Sequence, residues 1–433
     1  MHTLQFDLSQ KTKAFKPLNA TNGGPWHKRH TQSQLRSNFE AYKAARIPYT
    51  RNHDSRFDNP YTHDISEIFR NFDADETDPA SYDFACTDEN IFVALDAGTK
   101  TFFRLGQSIE HEIKKHYTLP PKDFGKWARI CEHIIRHYTE GWADGYRLDM
   151  PYWEIWNEPD LTRNSDGVSP MWSGTDAQFY DLYEVTAKHL KSCFPHLKIG
   201  GPALAWNETF ADAFLAEMQA RQVPIDFFSW HIYCTEPEKM VEKAERIHAL
   251  MEKYGYGSAE SILNEWNYIR GWKEDFKYSI LAIHGIKGAA FTMACISEAQ
   301  RSDNIDMLMY YDTRRSAFCG AFDYYSFDTL KGYYPLMWYG KFYDLEAYVP
   351  CLTHEKTLYT LCGVGKDGKA MAVITHYCED DAAPSKQVSI DFGRSGNYRV
   401  SLLDADHDGE CLGETKDLTF QLKNCSAILI EEI

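Results

Sequence analysis

The sequence predicts an α/β fold: a (β/α)8 TIM barrel over residues 10–350, then an antiparallel β-sandwich domain over 351–433 that also takes in a strand from residues 1–9. Three observations predict it. Short runs rich in aromatic and β-branched residues alternate eight times with segments of three-and-four apolar spacing, with glycine and proline at the joints. No Gly-x-Gly-x-x-Gly follows a strand, which speaks against an open doubly wound sheet. From about residue 353 the texture changes to short alternating runs, with a hairpin signal at Gly365-Lys366-Asp367-Gly368.

In order, residues 2–8 alternate weakly and read as a strand that joins another element. Residues 16–21 lead into a Gly-Gly-Pro turn as the first barrel strand. Leu35, Phe39 and Tyr42 are spaced for one face of a helix over 33–45. Residues 47–53 form the second strand, and 54–88 a long acidic connection suited to the mouth of a pocket. A helix over 90–97 and a third strand over 101–106 follow. Pro121 opens a strong helix, because Phe124, Trp127, Ile130, Cys131, Ile134 and Tyr138 recur at three and four. The fourth strand begins at Tyr152. Helices over 176–192, 210–222, 239–254 and 276–299 then alternate with strands over 197–202, 225–233, 261–267 and 305–312, and a helix over 332–348 closes the barrel. The sandwich strands fall at 358–364, 370–376, 387–392, 398–403, 418–422 and 427–431.

Composition narrows the function. The net charge is −17, from 46 basic and 63 acidic residues, which disfavours nucleic acid and other polyanions as partners. Aromatic residues make up 15% of the chain, which suits stacking on sugar faces but also a large core. Residues 1–8 lack a basic region and an apolar stretch, and no apolar run reaches 18 residues, so neither a secretory signal nor a membrane span is expected. Eleven scattered cysteines read as reduced thiols of a cytoplasmic protein. Homo-oligomerisation is left open.

The chemistry centres on Tyr152-Trp153-Glu154-Ile155-Trp156-Asn157-Glu158-Pro159. This is a buried strand running into a loop at a proline. Alternation along it puts Glu154, Trp156 and Glu158 on one face and Trp153, Ile155 and Asn157 on the other. A carboxyl at a strand's C-terminal end among tryptophans is desolvated, holds its proton to higher pH and suits proton donation. The plainer reading is a surface loop with solvated acids. Ser261-Ile262-Leu263-Asn264-Glu265-Trp266-Asn267-Tyr268 repeats the design with Glu265. Two strand-end glutamates are what glycoside hydrolysis uses, one as acid and one on the sugar's other side.

At these residues the chain resembles the clan A glycoside hydrolases, and within them family 39, the β-xylosidase and α-L-iduronidase family. Trp156-Asn157-Glu158-Pro159 and Asn264-Glu265-Trp266 look like the acid/base and nucleophile signatures; Asn22-Gly23-Gly24-Pro25, Arg51-Asn52-His53 and Ser229-Trp230-His231-Ile232-Tyr233 add to the match. The resemblance implies a retaining exo-glycosidase acting on a terminal neutral sugar of an oligosaccharide or small glycoside, most simply a β-D-xyloside, with no cofactor. It implies Glu158 as acid/base and Glu265 as an ionised nucleophile, with Asn157 donating to a sugar hydroxyl, Tyr233 bonding the nucleophile, and His53 and His231 nearby. Arg51 would hold the pKa of Glu265 low, or else pair with Glu154, for which Arg104 competes. Asp54, Gln107 and Glu110 lie just past strand ends as candidates for hydroxyl contacts. The family's tryptophan at the eighth strand's end is replaced by Tyr310-Tyr311-Asp312, which makes Tyr311 a candidate for the subsite floor.

Other activities stay open: α-L-arabinosidase, β-glucosidase or galactosidase, α-L-iduronidase, or a non-catalytic carbohydrate-binding barrel. A metal enzyme has weaker support. His111-Glu112-Ile113-Lys114-Lys115-His116 is one residue too long for a helical zinc pair, and His27 and His30 flank two cations.

Overall fold

The computed structural model describes residues 1–26, 37–53, 62–161, 169–313 and 320–433. The chain opens with strand β1 (His2–Gln5) and then enters the barrel. Its strands are β2 (Ala20–Asn22), β3 (Tyr49–Arg51), β4 (Lys100–Leu105), β5 (Tyr152–Ile155), β6 (Lys198–Leu204), β7 (Phe227–Cys234), β8 (Glu260–Tyr268) and β9 (Met307–Tyr310). Among the described residues these eight strands close in chain order, all in parallel, with β9 pairing back to β2. The predicted barrel is therefore the observed one.

Helices α1 (Phe39–Ala44), α2 (Ile65–Ile68), α3 (Ala85–Asp96), α4 (Phe124–Thr139), α5 (Asp176–Cys193), α6 (Glu208–Ala220) and α7 (Pro237–Lys253) lie between successive strands. Several starts are set by side chains that satisfy the first backbone N–H groups. Asp123 accepts from the Lys126 N–H, so α4 begins after Pro121 and not at it. Thr175 and Gln178 form a reciprocal capping box on α5. The start expected at residue 33 for the first helix lies outside the described residues, which show helix from Phe39. α3 starts five residues before the expected 90. The apolar segment after β8 is two helices, α8 (Phe276–His284) and α9 (Ile286–Arg301), bent by 77° where Gly285 takes an extended backbone. α10 (Tyr333–Lys341) is shorter than the expected closing helix and gives way to a 3-10 turn and β10 (Ala347–Tyr348).

The C-terminal strands are β11 (Leu358–Val364), β12 (Ala370–His376), β13 (Lys386–Asp391), β14 (Tyr398–Leu403), β15 (Asp408–Thr415), β16 (Thr419–Leu422) and β17 (Ser426–Glu432). They form a six-stranded sheet, β10-β11-β12-β17-β14-β15, and a three-stranded sheet, β1-β13-β16. β1 runs parallel to β13, a departure from a purely antiparallel sandwich. Leu4, Val388 and Ile390 of the small sheet share a core with Ile374, Ile428 and Ile430 of the large one. Alternation sends Leu361, Val373 and Leu429 to the large sheet's other face, into the core shared with the barrel helices. Polar ties reinforce that contact. Glu379 accepts from the Tyr268 hydroxyl at 2.9 Å and pairs with Arg270 at 2.6 Å, while Lys287 pairs with Asp381 at 2.6 Å. The ten described cysteines are free thiols.

Candidate active site

The fourth barrel strand stops at Ile155, and the backbone then leaves extended geometry. Trp156 has φ +73° and Glu158 φ +45°, both in the left-handed region that costs a non-glycine residue energy. Backbone bonds hold the turn: the Trp156 N–H donates to the Leu105 carbonyl at 2.7 Å and the Glu158 N–H to the Ala203 carbonyl at 2.9 Å. Gly106 and Gly201 on the flanking strands make room, since a Cβ at Gly106 would lie 3.1 Å from Trp156 Cα and one at Gly201 2.8 Å from the Ile155 carbonyl. The predicted face assignment fails here. Trp156 swings out to pack on Trp127 and Trp172, whereas Asn157 turns inward and shares Arg51 with Glu154.

Beneath the pocket lies a buried polar network centred on Glu154. One of its oxygens accepts from Arg51 Nε at 2.7 Å; the other accepts from the Ser229 hydroxyl at 2.6 Å and from the Asn264 amide. Arg51 also donates to Asn157 Oδ1 at 2.5 Å and to Asn22 Oδ1 at 3.3 Å, and its Nη1 lies 3.5 Å from Glu265 Oε2. Both readings of Arg51 thus hold at once. The network ties the residues immediately before Glu158 and Glu265 to one another, so a fully satisfied buried charge pair fixes where the two strand ends point. Arg104 does not compete for Glu154. It bonds Asp64 at 2.7 Å instead.

Above this network Glu158, His231 and Glu265 converge, with one donor atom from each lying within 4.8 Å of the others. His231 Nδ1 is 2.8 Å from Glu158 Oε1 and 3.6 Å from Glu265 Oε2. Tyr233 donates its hydroxyl to Glu265 Oε1 at 2.6 Å. Burial lowers the His231 pKa to about 4, so the ring is neutral near pH 7, with Nδ1 in hydrogen-bond contact with Glu158.

Burial also pushes the Glu265 carboxyl up to about 7, aided by the charge of Glu158, against the pull of His231, Arg51 and the Tyr233 hydroxyl. Arg51 does pull this pKa down, as expected, but its shortest contacts go to Glu154 and Asn157 and desolvation outweighs it. The charge of Glu158 is part of what raises Glu265, so the two carboxyls are coupled. A carboxyl whose folded pKa exceeds its unfolded 4.5 contributes stability below pH 4.5 that is lost as pH rises through about 7. Glu265→Gln is accordingly expected to raise Tm by roughly 2–4 °C or more at pH 8 and to leave it unchanged near pH 4. Scanning calorimetry at the two pH values checks this, and equal shifts at both would contradict it.

A pocket of about 770 Å³ opens over the pair, and His53, Glu158, Tyr233, Glu265 and Tyr311 line it. Arg51, Asn157 and His231 are buried beneath that wall, with Asn157 Nδ2 turned toward His53 at 3.4 Å. Gln107 is not among the lining residues, because its side-chain oxygen accepts from Ser66 at 2.7 Å. Glu110 is spent on its own loop, where it accepts backbone N–H groups of His116, Tyr117 and Thr118. That loop is not helical, which removes the zinc-pair reading of His111 and His116. Asp54, His27 and His30 lie outside the described residues. The sequence reading missed Asp160, Trp206 and Trp272, which shape the pocket's rim from loops where no periodicity marks them.

Residues 7–270 match the model of the glycosyl hydrolases family 39. A β-xylosidase of Geobacillus stearothermophilus is 29% identical over 196 residues, 40% of this chain and 35% of that protein. A β-xylosidase of Caldicellulosiruptor saccharolyticus is 30% identical over 194 residues, 42% of this chain and 36% of that protein. The chain thus spans about a third of the length of these relatives. In fold it is similar to the crystal structure of a glucosidase from Croceicoccus marinus, with TM-score 0.81 and 22% identity, covering 100% of this chain and 98% of that one.

Proposed function

Because the chain belongs to the glycosyl hydrolases of family 39, we propose that it is a retaining exo-glycosidase that hydrolyses a terminal neutral sugar, β-D-xylose before others. The observation that carries this reading is the facing of Glu158 and Glu265, with oxygens within 4.8 Å across one pocket. It supports the shorter of the two carboxyl separations used in glycoside hydrolysis, about 5–5.5 Å rather than 6.5–9.5 Å.

Glu265 is the nucleophile and Glu158 the acid/base. His231 bonds Glu158 Oε1 and orients the carboxyl that carries the proton to the leaving group. As Glu265 bonds to the anomeric carbon, the glycosidic C–O bond breaks and that proton moves to the departing oxygen. Water, deprotonated by Glu158, then releases the sugar from the glycosyl ester. Among the described residues the pocket wall carries no Lys or Arg, and Arg51 behind it is committed to Glu154, which argues for a neutral sugar over a uronate. Xylose comes first because both named relatives are β-xylosidases. Glu158, His231 and Glu265 also make a donor set for a divalent cation, but Arg51 beside Glu265 opposes one, and activity indifferent to a chelator is expected.

A panel of nitrophenyl β-D-xyloside, β-D-glucoside, β-D-galactoside and α-L-arabinoside tests the reading, with the first-formed product followed by NMR. The expected result is preference for the xyloside and a product of retained anomeric configuration. An inverted first product would overturn the mechanism, and no turnover of any glycoside would favour a binding barrel.

A further inference from the structure

The proton donor marks the side on which the leaving group departs, so the surface beside Glu158 is the surface an aglycone meets. That surface is built by a buried clamp. Asp160, 2% exposed, accepts the backbone N–H groups of Ala205 at 2.8 Å, Trp206 at 2.9 Å and Asn207 at 2.8 Å. The Leu161 N–H donates to the Glu158 carbonyl at 3.0 Å. Through these bonds the segment after Glu158 and the loop after β6 form one wall, and Leu161, Met171, Ala205 and Trp206 all line the pocket.

Trp206 is 57% exposed although its backbone is pinned. On the β8 side Trp272, also a lining residue and 56% exposed, stands edge-on to Tyr233 with ring centroids 4.9 Å apart. Two large indole faces held in water at a pocket mouth are surface that a ligand would desolvate. The polar lining groups lie mostly at the base, around Glu158 and Glu265. Among the described residues, His111 and the indole N–H groups of Trp206 and Trp272 are the polar groups these rim residues add. A ring face alone suits a sugar as well as an aromatic group. Among the described residues the aliphatic wall favours the aromatic group, because a second sugar would bring hydroxyls to Leu161, Met171 and Ala205, whose side chains offer no partner.

We propose that the leaving-group side of this pocket is a site for an apolar aglycone, so that the substrates are glycosides of aromatic or alicyclic alcohols rather than oligosaccharides. This rests on the glycosidase reading, with Glu158 as its acid. Asp160 is a positioning residue that sets the wall, and Trp206 supplies its contact face.

The test uses the full chain and a single sugar, the one the nitrophenyl panel selects, with three leaving groups: fluoride, a second sugar, and cyclohexylmethanol. Cyclohexylmethanol is the less acidic alcohol and the poorer leaving group of the last two, so a faster cyclohexylmethyl glycoside reads binding and not leaving ability. The expected kcat/KM for the cyclohexylmethyl glycoside exceeds that for the disaccharide about tenfold or more. In Trp206→Ala the ratio of cyclohexylmethyl glycoside to fluoride falls about tenfold, while the ratio of disaccharide to fluoride changes less than about twofold. Leu161→Ser is the second variant, with the same expected direction. Fluoride turned over alongside a disaccharide that equals or beats the cyclohexylmethyl glycoside would overturn this inference and leave the glycosidase reading intact. No hydrolysis of the fluoride would sink both.

Discussion

Replacing Glu265 with alanine is expected to cut turnover of every glycoside by about 10⁴-fold or more, the scale on which a catalytic nucleophile is lost. The size follows from the geometry. Glu265 Oε1 is held by the Tyr233 hydroxyl at 2.6 Å, Oε2 lies 3.5 Å from Arg51, and among the described residues no carboxylate other than Glu158 and Glu265 lines the pocket. Truncation leaves a hollow with positive charge behind it. A small anion such as azide fits that hollow and attacks from the face Glu265 used. Azide should therefore restore turnover of an activated glycoside and yield a glycosyl azide of inverted configuration, read by NMR. A variant that keeps more than a few per cent of its activity, or an azide product of retained configuration, would remove Glu265 from the role.

Glu158→Ala should behave differently, because the loss of an acid matters in proportion to how badly the leaving group needs a proton. A loss of about 10²–10⁴-fold is expected on alkyl and sugar leaving groups, and a small one on a glycosyl fluoride or dinitrophenyl glycoside in the first step. The pH profile carries the second half of this prediction. The retaining mechanism needs Glu158 protonated while Glu265 is ionised, and the two charges oppose each other, so kcat/KM should fall on the alkaline side as the acid's proton leaves. With Glu158 gone, that alkaline limb should flatten on a substrate that needs no acid. Equal losses across all leaving groups would point to a structural role for Glu158.

Much of the fold was legible because a barrel repeats itself. Several strands run into glycine or an acid, as at Gly23, Gly106 and Glu158, and helices such as α4 carry an apolar stripe, so local signals agreed with the global pattern. The convergence of residues 158 and 265 was legible for the same reason: Glu158 follows the end of β5 and Glu265 sits in the C-terminal half of β8, and those parts of a parallel barrel meet on one rim. The face of Trp156 was not. Alternation presumes an extended chain, and the turn to positive φ at Trp156 depends on the neighbouring Gly106 and Gly201, which are remote in sequence. The 77° bend at Gly285 was hidden because apolar spacing runs on through it. Strand β15 was invisible because Asp-Gly-Glu-Cys-Leu-Gly-Glu-Thr has no alternating apolar face; its ladder to β14, with two register shifts, holds it at the sheet's edge. The raised Glu265 pKa was unreadable in advance, since burial is a property of the assembled pocket.

The contact between Glu379 and the far end of β8 has a consequence for anyone who would shorten this chain. Tyr268 lies three positions beyond Glu265 on the same strand, and its hydroxyl is anchored on a residue more than a hundred positions downstream. Excising the terminal sheets would strip Arg270 and Lys287 of their counter-charges and bare the oily flank of α9. A barrel trimmed to its N-terminal portion would need that buttress rebuilt.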